Sequence, residues 1–164
     1  MPSVVKSIVL QLPPFVVPVA VFVNARESEI KRICHDTQIH TIQLHGDESP
    51  QFCKKLKGFK IIKAFRVSEG FDFSIAAQYP VDAFLFDTYQ KDKYGGVGKK
   101  FNWKMLQNKK FNKPYILSGG LNVKNASQAL SQLAVYALDV SSGVESSPGK
   151  KDPLKLKQFM RKAL

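Results

Sequence analysis

The chain predicts an α/β fold with a mostly parallel sheet, on three observations. Short apolar runs of strand length alternate six times with segments of helical spacing. The runs are apolar along most of their length rather than at every second residue, as in strands covered on both faces. The stretch from Pro114 to Gly143 is a complete strand–helix–strand unit, with small residues closing each strand: Ser118-Gly119-Gly120 after the first and Ser141-Ser142-Gly143 after the second.

Taken in order, the first segment reads as a helix entered at Ser3, with Val4, Val5, Ile8, Val9 and Leu12 at helical spacing, and Pro13-Pro14 stops it. Val19 to Asn24 is a β-branched run of strand length. Glu27 to His35 places Ile30, Ile33 and Cys34 on one helical face. Thr41 to Gly46 is the second strand, and Ser49-Pro50 opens a helix, Ser as cap and Pro at the first helical position. Lys60 to Val67 is the third strand, Phe71 to Tyr79 a short helix and Ala83 to Thr88 the fourth strand. A polar loop from Tyr89 to Lys100 leads to a helix over Asn102 to Asn108. Tyr115 to Ser118 and Ala137 to Ser141 are the fifth and sixth strands, joined by a helix that Asn122 caps. Gly143 to Asp152 reads as a loop. The last helix starts at Pro153 and is lined by Leu154, Leu156, Phe159, Met160 and Leu164.

A chain of 164 residues with 44% hydrophobic content fits one domain with an ordinary core. Two architectures fit the alternation. Length favours a doubly wound sheet, because a (β/α)₈ barrel takes about 250 residues and at least roughly 200. Polar or small residues at the carboxyl ends of most strands (Asn24, His45, Asp87, Ser118, Ser141) favour a barrel, which builds one site from many strand ends.

The formal charge of +12 attracts anions. Its lysines are scattered through nearly every segment, with no aromatic-interleaved basic stripe and no nucleic-acid-binding motif, so the expected partner is a phosphorylated small molecule and not nucleic acid. The most apolar run, Phe15 to Val23, is broken by Pro18 and far shorter than the roughly 20 residues a membrane span needs. No secretory leader is evident, and a cytoplasmic protein without membrane contact is expected. Two cysteines, Cys34 and Cys53, have neither metal-ligand spacing nor a disulfide framework. No metal is expected.

Chemistry concentrates at strand ends. The two Gly/Ser turns leave backbone N–H groups uncovered by side chains, and such concavities bind phosphate. Asp87 ends an otherwise apolar strand; burial at such a place raises a carboxyl pKa and suits it to general acid work, with a loop hydrogen-bond acceptor as the alternative. Asp139 shares a strand face with Ala137 and Ser141, and needs a pairing partner or a function. His45 is a candidate acid, base or donor, or a structural residue. Lys63 is either an ion-pair partner or a Schiff-base amine. Tyr94 to Lys100 is not a P-loop, because Lys93 and Lys100 stand where such a loop needs Gly and Ser or Thr. It reads instead as a glycine-rich lid bringing Lys99 to an anionic substrate, or as a loop without a role.

Leu12-Pro13-Pro14-Phe15-Val16, Val21-Phe22-Val23-Asn24, Gln43-Leu44-His45-Gly46, Phe86-Asp87-Thr88, Tyr94-Gly95-Gly96-Val97-Gly98-Lys99, Leu117 to Asn122, Asp139 to Glu145 and Pro148 to Asp152 together resemble phosphoribosylanthranilate isomerase, in order and spacing, across nearly the whole chain. The resemblance implies a (β/α)₈ barrel of tryptophan biosynthesis, and so overrides the length argument. It implies an Amadori rearrangement of N-(5′-phosphoribosyl)anthranilate to 1-(2-carboxyphenylamino)-1-deoxyribulose 5-phosphate, with no metal or cofactor. Asp87 matches the family's general acid, and Gly119, Gly120, Ser142 and Gly143 its phosphate site. His45, Asp139 and Lys99 join them as substrate-binding candidates.

Family members begin with a strand carrying Lys-x-Cys-Gly, whose Cys is the base, and their second βα loop supplies an Arg for the anthranilate carboxylate. Neither has a counterpart here: Cys34 and Cys53 fall in helices, and Arg26 follows the wrong strand. The expectation is therefore an incomplete barrel of about six parallel strands over residues 1–164, lacking the first βα unit and the second strand. Alone it is expected to be inactive. Its open edges favour self-association or a complementary fragment. The alternative is a non-catalytic phosphate-binding remnant or assembly subunit.

Overall fold

The computed structural model describes residues 2–88 and 102–163, which form two compact units. The first holds residues up to Ala64 and Ser74–Ala83; the second holds Phe65–Phe73 and Phe84 onward. The elements are α1 (Pro2–Val9), β1 (Val19–Phe22), α2 (Glu27–Thr37), β2 (Thr41–Leu44), α3 (Pro50–Lys55), β3 (Lys60–Val67), β4 (Ala83–Thr88), β5 (Tyr115–Leu117), α4 (Ala126–Gln132), β6 (Ala137–Leu138), β7 (Glu145–Ser147), β8 (Lys150–Lys151) and α5 (Pro153–Ala163). Six parallel strands form one sheet in the order β1-β2-β3-β4-β5-β6, as the alternating pattern predicts. No helix among the described residues is long and apolar enough to cross a membrane.

In the first unit the register pairs Val19 with Thr41 and Leu44 with Lys63. Ile30, Ile42, Leu44, Leu56 and Ala76 have no exposed surface. The face of α2 that carries Ile30, Cys34 and Thr37 is buried. That helix ends where Gln38 turns left-handed (φ 60°) and its N–H reaches the carbonyls of Cys34 and His35. Ser49 caps α3 as expected, its hydroxyl accepting from the Phe52 N–H at 3.1 Å, with Pro50 in the first turn.

In the second unit an aromatic cluster fills one side of the sheet. Phe86 lies 5.0 Å from Phe111, 5.2 Å from Phe73 and 5.8 Å from Phe65, between ring centroids. Phe111 continues the cluster to Tyr115 at 5.1 Å.

Five local expectations are corrected. The segments read as helices over Phe71 to Tyr79 and Asn102 to Asn108 are 3₁₀ turns, Phe73–Gln78 and Trp103–Leu106. Each buries side chains only at i and i+3 (Phe73 and Ala76; Trp103 and Leu106), which is the three-residue repeat of that turn. Asn122 does not cap the helix, which starts at Ala126. Its carboxamide oxygen instead accepts from the Lys124 N–H at 2.9 Å in a turn that precedes α4. The last sheet strand stops at Leu138 rather than Ser141. The presumed loop after Gly143 contains the β7–β8 hairpin, closed by a Glu145–Lys151 ion pair at 2.7 Å with Gly149 at φ 78°.

Candidate functional site

The site of the second unit grows from the ends of β4, β5 and β6. Burial of Phe84, Leu85 and Phe86 holds β4 in place, and Asp87 follows them, 4% exposed. The Thr88 N–H donates to Asp87 Oδ1 at 2.7 Å. Beside it the chain leaves β5 through Ser118, whose N–H donates to the Phe86 carbonyl at 2.8 Å, and turns through Gly119 and Gly120 at φ 83° and 70°. Both glycines are in the left-handed region, where a side chain is strained.

Gly119 has a second requirement. A Cβ there would strike Thr88 Oγ1 and lie 2.6 Å from the Thr88 nitrogen and 2.9 Å from Asp87 Oδ1. The backbone at Gly119 therefore comes against the Asp87 carboxylate. The neighbouring turn is fixed from behind by Asn125, which accepts from the Asn122 N–H at 2.8 Å and donates to the Gly120 carbonyl at 2.9 Å. Gly119 and Gly120 N–H groups donate to no other group among the described residues.

The corner after β6 meets this one. A Cβ on Gly143 would collide with the Leu121 carbonyl oxygen, and would lie 2.9 Å from its carbon and 3.0 Å from Asn122 Cα. The two Gly/Ser corners thus touch backbone to backbone, and the first of them touches Asp87. Asp139 is tied in as well: its N–H donates to the Leu117 carbonyl at 2.8 Å, and Ser118 Oγ donates to its Oδ2 at 2.7 Å. The hydrogen-bonded partner that a strand-end acid needs is Ser118.

Residues 2–162 match the family model described as N-(5′-phosphoribosyl)anthranilate (PRA) isomerase. The chain belongs to the N-(5′-phosphoribosyl)anthranilate isomerase family. It is 40% identical over 162 residues to the isomerase of that name from Citrifermentans bemidjiense, covering 99% of this chain and 78% of that protein. It superposes on the crystal structure of phosphoribosyl anthranilate isomerase from Thermotoga maritima with a TM-score of 0.88 at 38% identity, over 99% of this chain and 80% of that one. A further isomerase structure, determined in complex with reduced 1-(o-carboxyphenylamino)-1-deoxyribulose 5-phosphate, matches with a TM-score of 0.83 at 34% identity, covering 99% of this chain and 79% of that one. By family the chain is an isomerase of tryptophan biosynthesis, and its six parallel strands match the barrel of its solved relatives.

The other candidates belong to the first unit or fall outside the described residues. His45 stands just past β2 in the first unit, 7% exposed, with its Nδ1 2.9 Å from Gln43 Nε2. Lys99 and the glycine-rich segment Tyr94 to Lys100 lie outside the described residues. Lys63 is buried in the first unit and donates to Glu48 Oε2 at 2.9 Å and to the carbonyls of Gly46 and Leu44 at 2.8 and 3.2 Å. An ammonium held this way is no nucleophile, so the ion-pair reading stands and the Schiff-base reading falls.

Glu48 is the residue that sequence reasoning missed. Besides Lys63 it accepts from the Asn24 N–H at 2.9 Å and from the Gly46 N–H at 2.9 Å, tying together the chain just past β1, β2 and the middle of β3. An acid in a polar loop carries no signal for this. Only the run of Asn24, Gly46 and Lys63 to one point reveals it.

Both cysteines are buried in helices, Cys34 in α2 and Cys53 in α3, and burial pushes each thiol above its ordinary pKa. A thiol so placed does not supply a thiolate base near neutral pH. A cavity of about 630 Å³ is lined by Val67, Ser68, Glu69, Thr88, Asn102 and Met105.

Proposed function

We propose that this chain carries the acid and the phosphate-binding half of a phosphoribosylanthranilate isomerase site. The observation that supports it is the chain of contacts from the Asp87 carboxylate through Gly119 and Leu121 to Gly143. In this reading the 5′-phosphate of N-(5′-phosphoribosyl)anthranilate rests on backbone N–H groups at Gly119-Gly120 and Ser142-Gly143. Asp87 gives its proton to the ribose ring oxygen, the bond from that oxygen to C1′ breaks, and the anthranilate nitrogen stabilises C1′ as a Schiff base. A base then removes the C2′ proton, and the enolamine becomes the ketone. Ser118 fixes Asp139 at the edge of the phosphate corner, and the proposal keeps His45 and Lys99 as substrate-contacting residues.

The base is the part these residues do not supply. Cys34 and Cys53 are the only cysteines of the sequence, and both are buried with raised pKa. We therefore hold that the 164 residues alone bind the substrate's phosphate end but do not turn it over. Among the described residues β1 has no strand partner on its outer edge, and Val19, Val21 and Val23 there are exposed. A further parallel βα segment would pair that edge, cover those valines and provide the base; this chain covers 78–80% of the relatives' length.

Calorimetric titration of the purified chain with reduced 1-(o-carboxyphenylamino)-1-deoxyribulose 5-phosphate, alongside a turnover assay, tests this. Binding without turnover is the expected result. Absence of binding removes the site assignment, and turnover by the chain alone removes the incomplete-site part.

A further inference from the structure

We propose that Lys151 is a positioning residue of the phosphate site: its ammonium, tethered by Glu145, pins the Ser141 carbonyl and so turns the Ser142 N–H toward the phosphate. This rests on the site reading above and gives the Pro148 to Asp152 motif its role there.

Gly149 reverses the chain at φ 78°, and β8 comes back beside β7 with Lys151 opposite Glu145. Lys151 Nζ lies 2.7 Å from Glu145 Oε1, and that hydrogen bond holds the Glu145 carboxyl below the usual carboxylate range. From there the ammonium donates to the Ser141 carbonyl at 3.0 Å and to Ser141 Oγ at 3.4 Å. The chain that follows grips the other end of the same corner. The Asp152 N–H donates to the Val144 carbonyl at 2.8 Å, and Lys155 Nζ donates to the Glu145 carbonyl at 2.6 Å. With its two side chains 43% and 14% exposed, the Lys151–Glu145 pair adds little to stability. Its effect is to fix a cation against one peptide group.

The Ser141 carbonyl and the Ser142 N–H belong to one planar trans unit and point in opposite directions. Holding the carbonyl on one side therefore presents the N–H on the other. Among the described residues that carbonyl otherwise accepts only from the Val144 N–H at 3.4 Å, longer than an ordinary backbone bond and too weak to fix the plane by itself. The Ser142 N–H donates to no group among the described residues. A charged donor on the carbonyl also polarises the peptide unit, which strengthens its N–H as a donor to an anion. Lys151 thus sets both the direction and the strength of one hydrogen bond to the phosphate without touching the phosphate itself.

The test titrates the purified chain with inorganic phosphate and with reduced 1-(o-carboxyphenylamino)-1-deoxyribulose 5-phosphate by calorimetry. Lys151→Met should weaken both by about tenfold or more, the worth of a hydrogen bond to a charged group, and Lys151→Arg should keep most of the affinity. Lys150→Met removes the same charge from the exposed neighbouring position and should leave both affinities unchanged. In the wild-type chain the Ser142 amide proton should move downfield in nuclear magnetic resonance spectra as phosphate is added, a readout that needs no variant. Phosphate binding that is equal in the wild type and Lys151→Met, that falls as much in Lys150→Met, or that leaves the Ser142 amide unmoved overturns this inference alone. Failure of the wild-type chain to bind phosphate or the analogue overturns the underlying site reading with it.

Discussion

Gly143 and Leu121 are in backbone contact: no side chain fits at Gly143 without displacing the Leu121 carbonyl. This contact, more than either glycine turn alone, joins the two strand ends. The Gly119 contact with Thr88 and Asp87 extends it to the acid.

Alanine at either glycine should therefore open the site. Gly119→Ala adds a positive-φ penalty to its clash and is expected to cost about 1–3 kcal/mol. Gly143→Ala acts by overpacking alone and should cost about the same. Both should weaken inorganic phosphate binding, measured by calorimetry, whereas Gly58→Ala, with open space around it, should not. Equal phosphate affinity in all three variants contradicts the assignment of the corners.

Asp87→Asn separates binding from chemistry. In a preparation made active by the complementary βα segment, loss of a general acid should lower kcat by about 10²–10⁴-fold with phosphate binding retained. An unchanged kcat means that the proton comes from another group.

The Lys63–Glu48 pair, 3% exposed on each side chain, predicts a large stability loss on Lys63→Met, about 3–5 kcal/mol by urea denaturation, because an uncompensated carboxylate remains buried. The double variant Lys63→Met/Glu48→Leu should recover only part of it. Glu48 also satisfies the Asn24 and Gly46 N–H groups, and each of those left unpaired costs about 1–3 kcal/mol. Full recovery is the result that speaks against this account.

Stability should fall on the alkaline side. Burial raises the Cys34 and Cys53 thiols in the folded chain, so the unfolded chain loses these protons first as pH climbs. Their contribution is complete below the ordinary thiol pKa and is lost as pH rises toward the folded values. Urea midpoints should decline above about pH 8.5, the unperturbed thiol value, and the decline should shrink in Cys34→Ala/Cys53→Ala. Iodoacetamide should label the native chain much more slowly than the denatured one.

The succession of strands and helices and the principal apolar positions were legible in the sequence because they are local properties. Lys60–Val67 and Ala83–Thr88 are strands to the residue, since runs of strand length rich in Ile, Val and Phe bounded by polar turns leave one choice. Boundaries failed where hydrogen bonds rather than hydrophobic period decide them, as at Asn122, whose amide makes a turn instead of a cap, and in the β7–β8 hairpin, which an ion pair closes. Glu48 was invisible for the same reason.

By itself the sequence determined the alternating parallel architecture, the family, and which residue types stand at the strand ends, because side-chain pattern and turn chemistry act within a few residues. Only the tertiary structure decided that Gly119, Gly143 and Asp87 converge, and that Glu48 closes on Lys63. Those relationships depend on register between strands far apart in the chain, where close backbone approach and the satisfaction of buried charge are settled by packing in three dimensions.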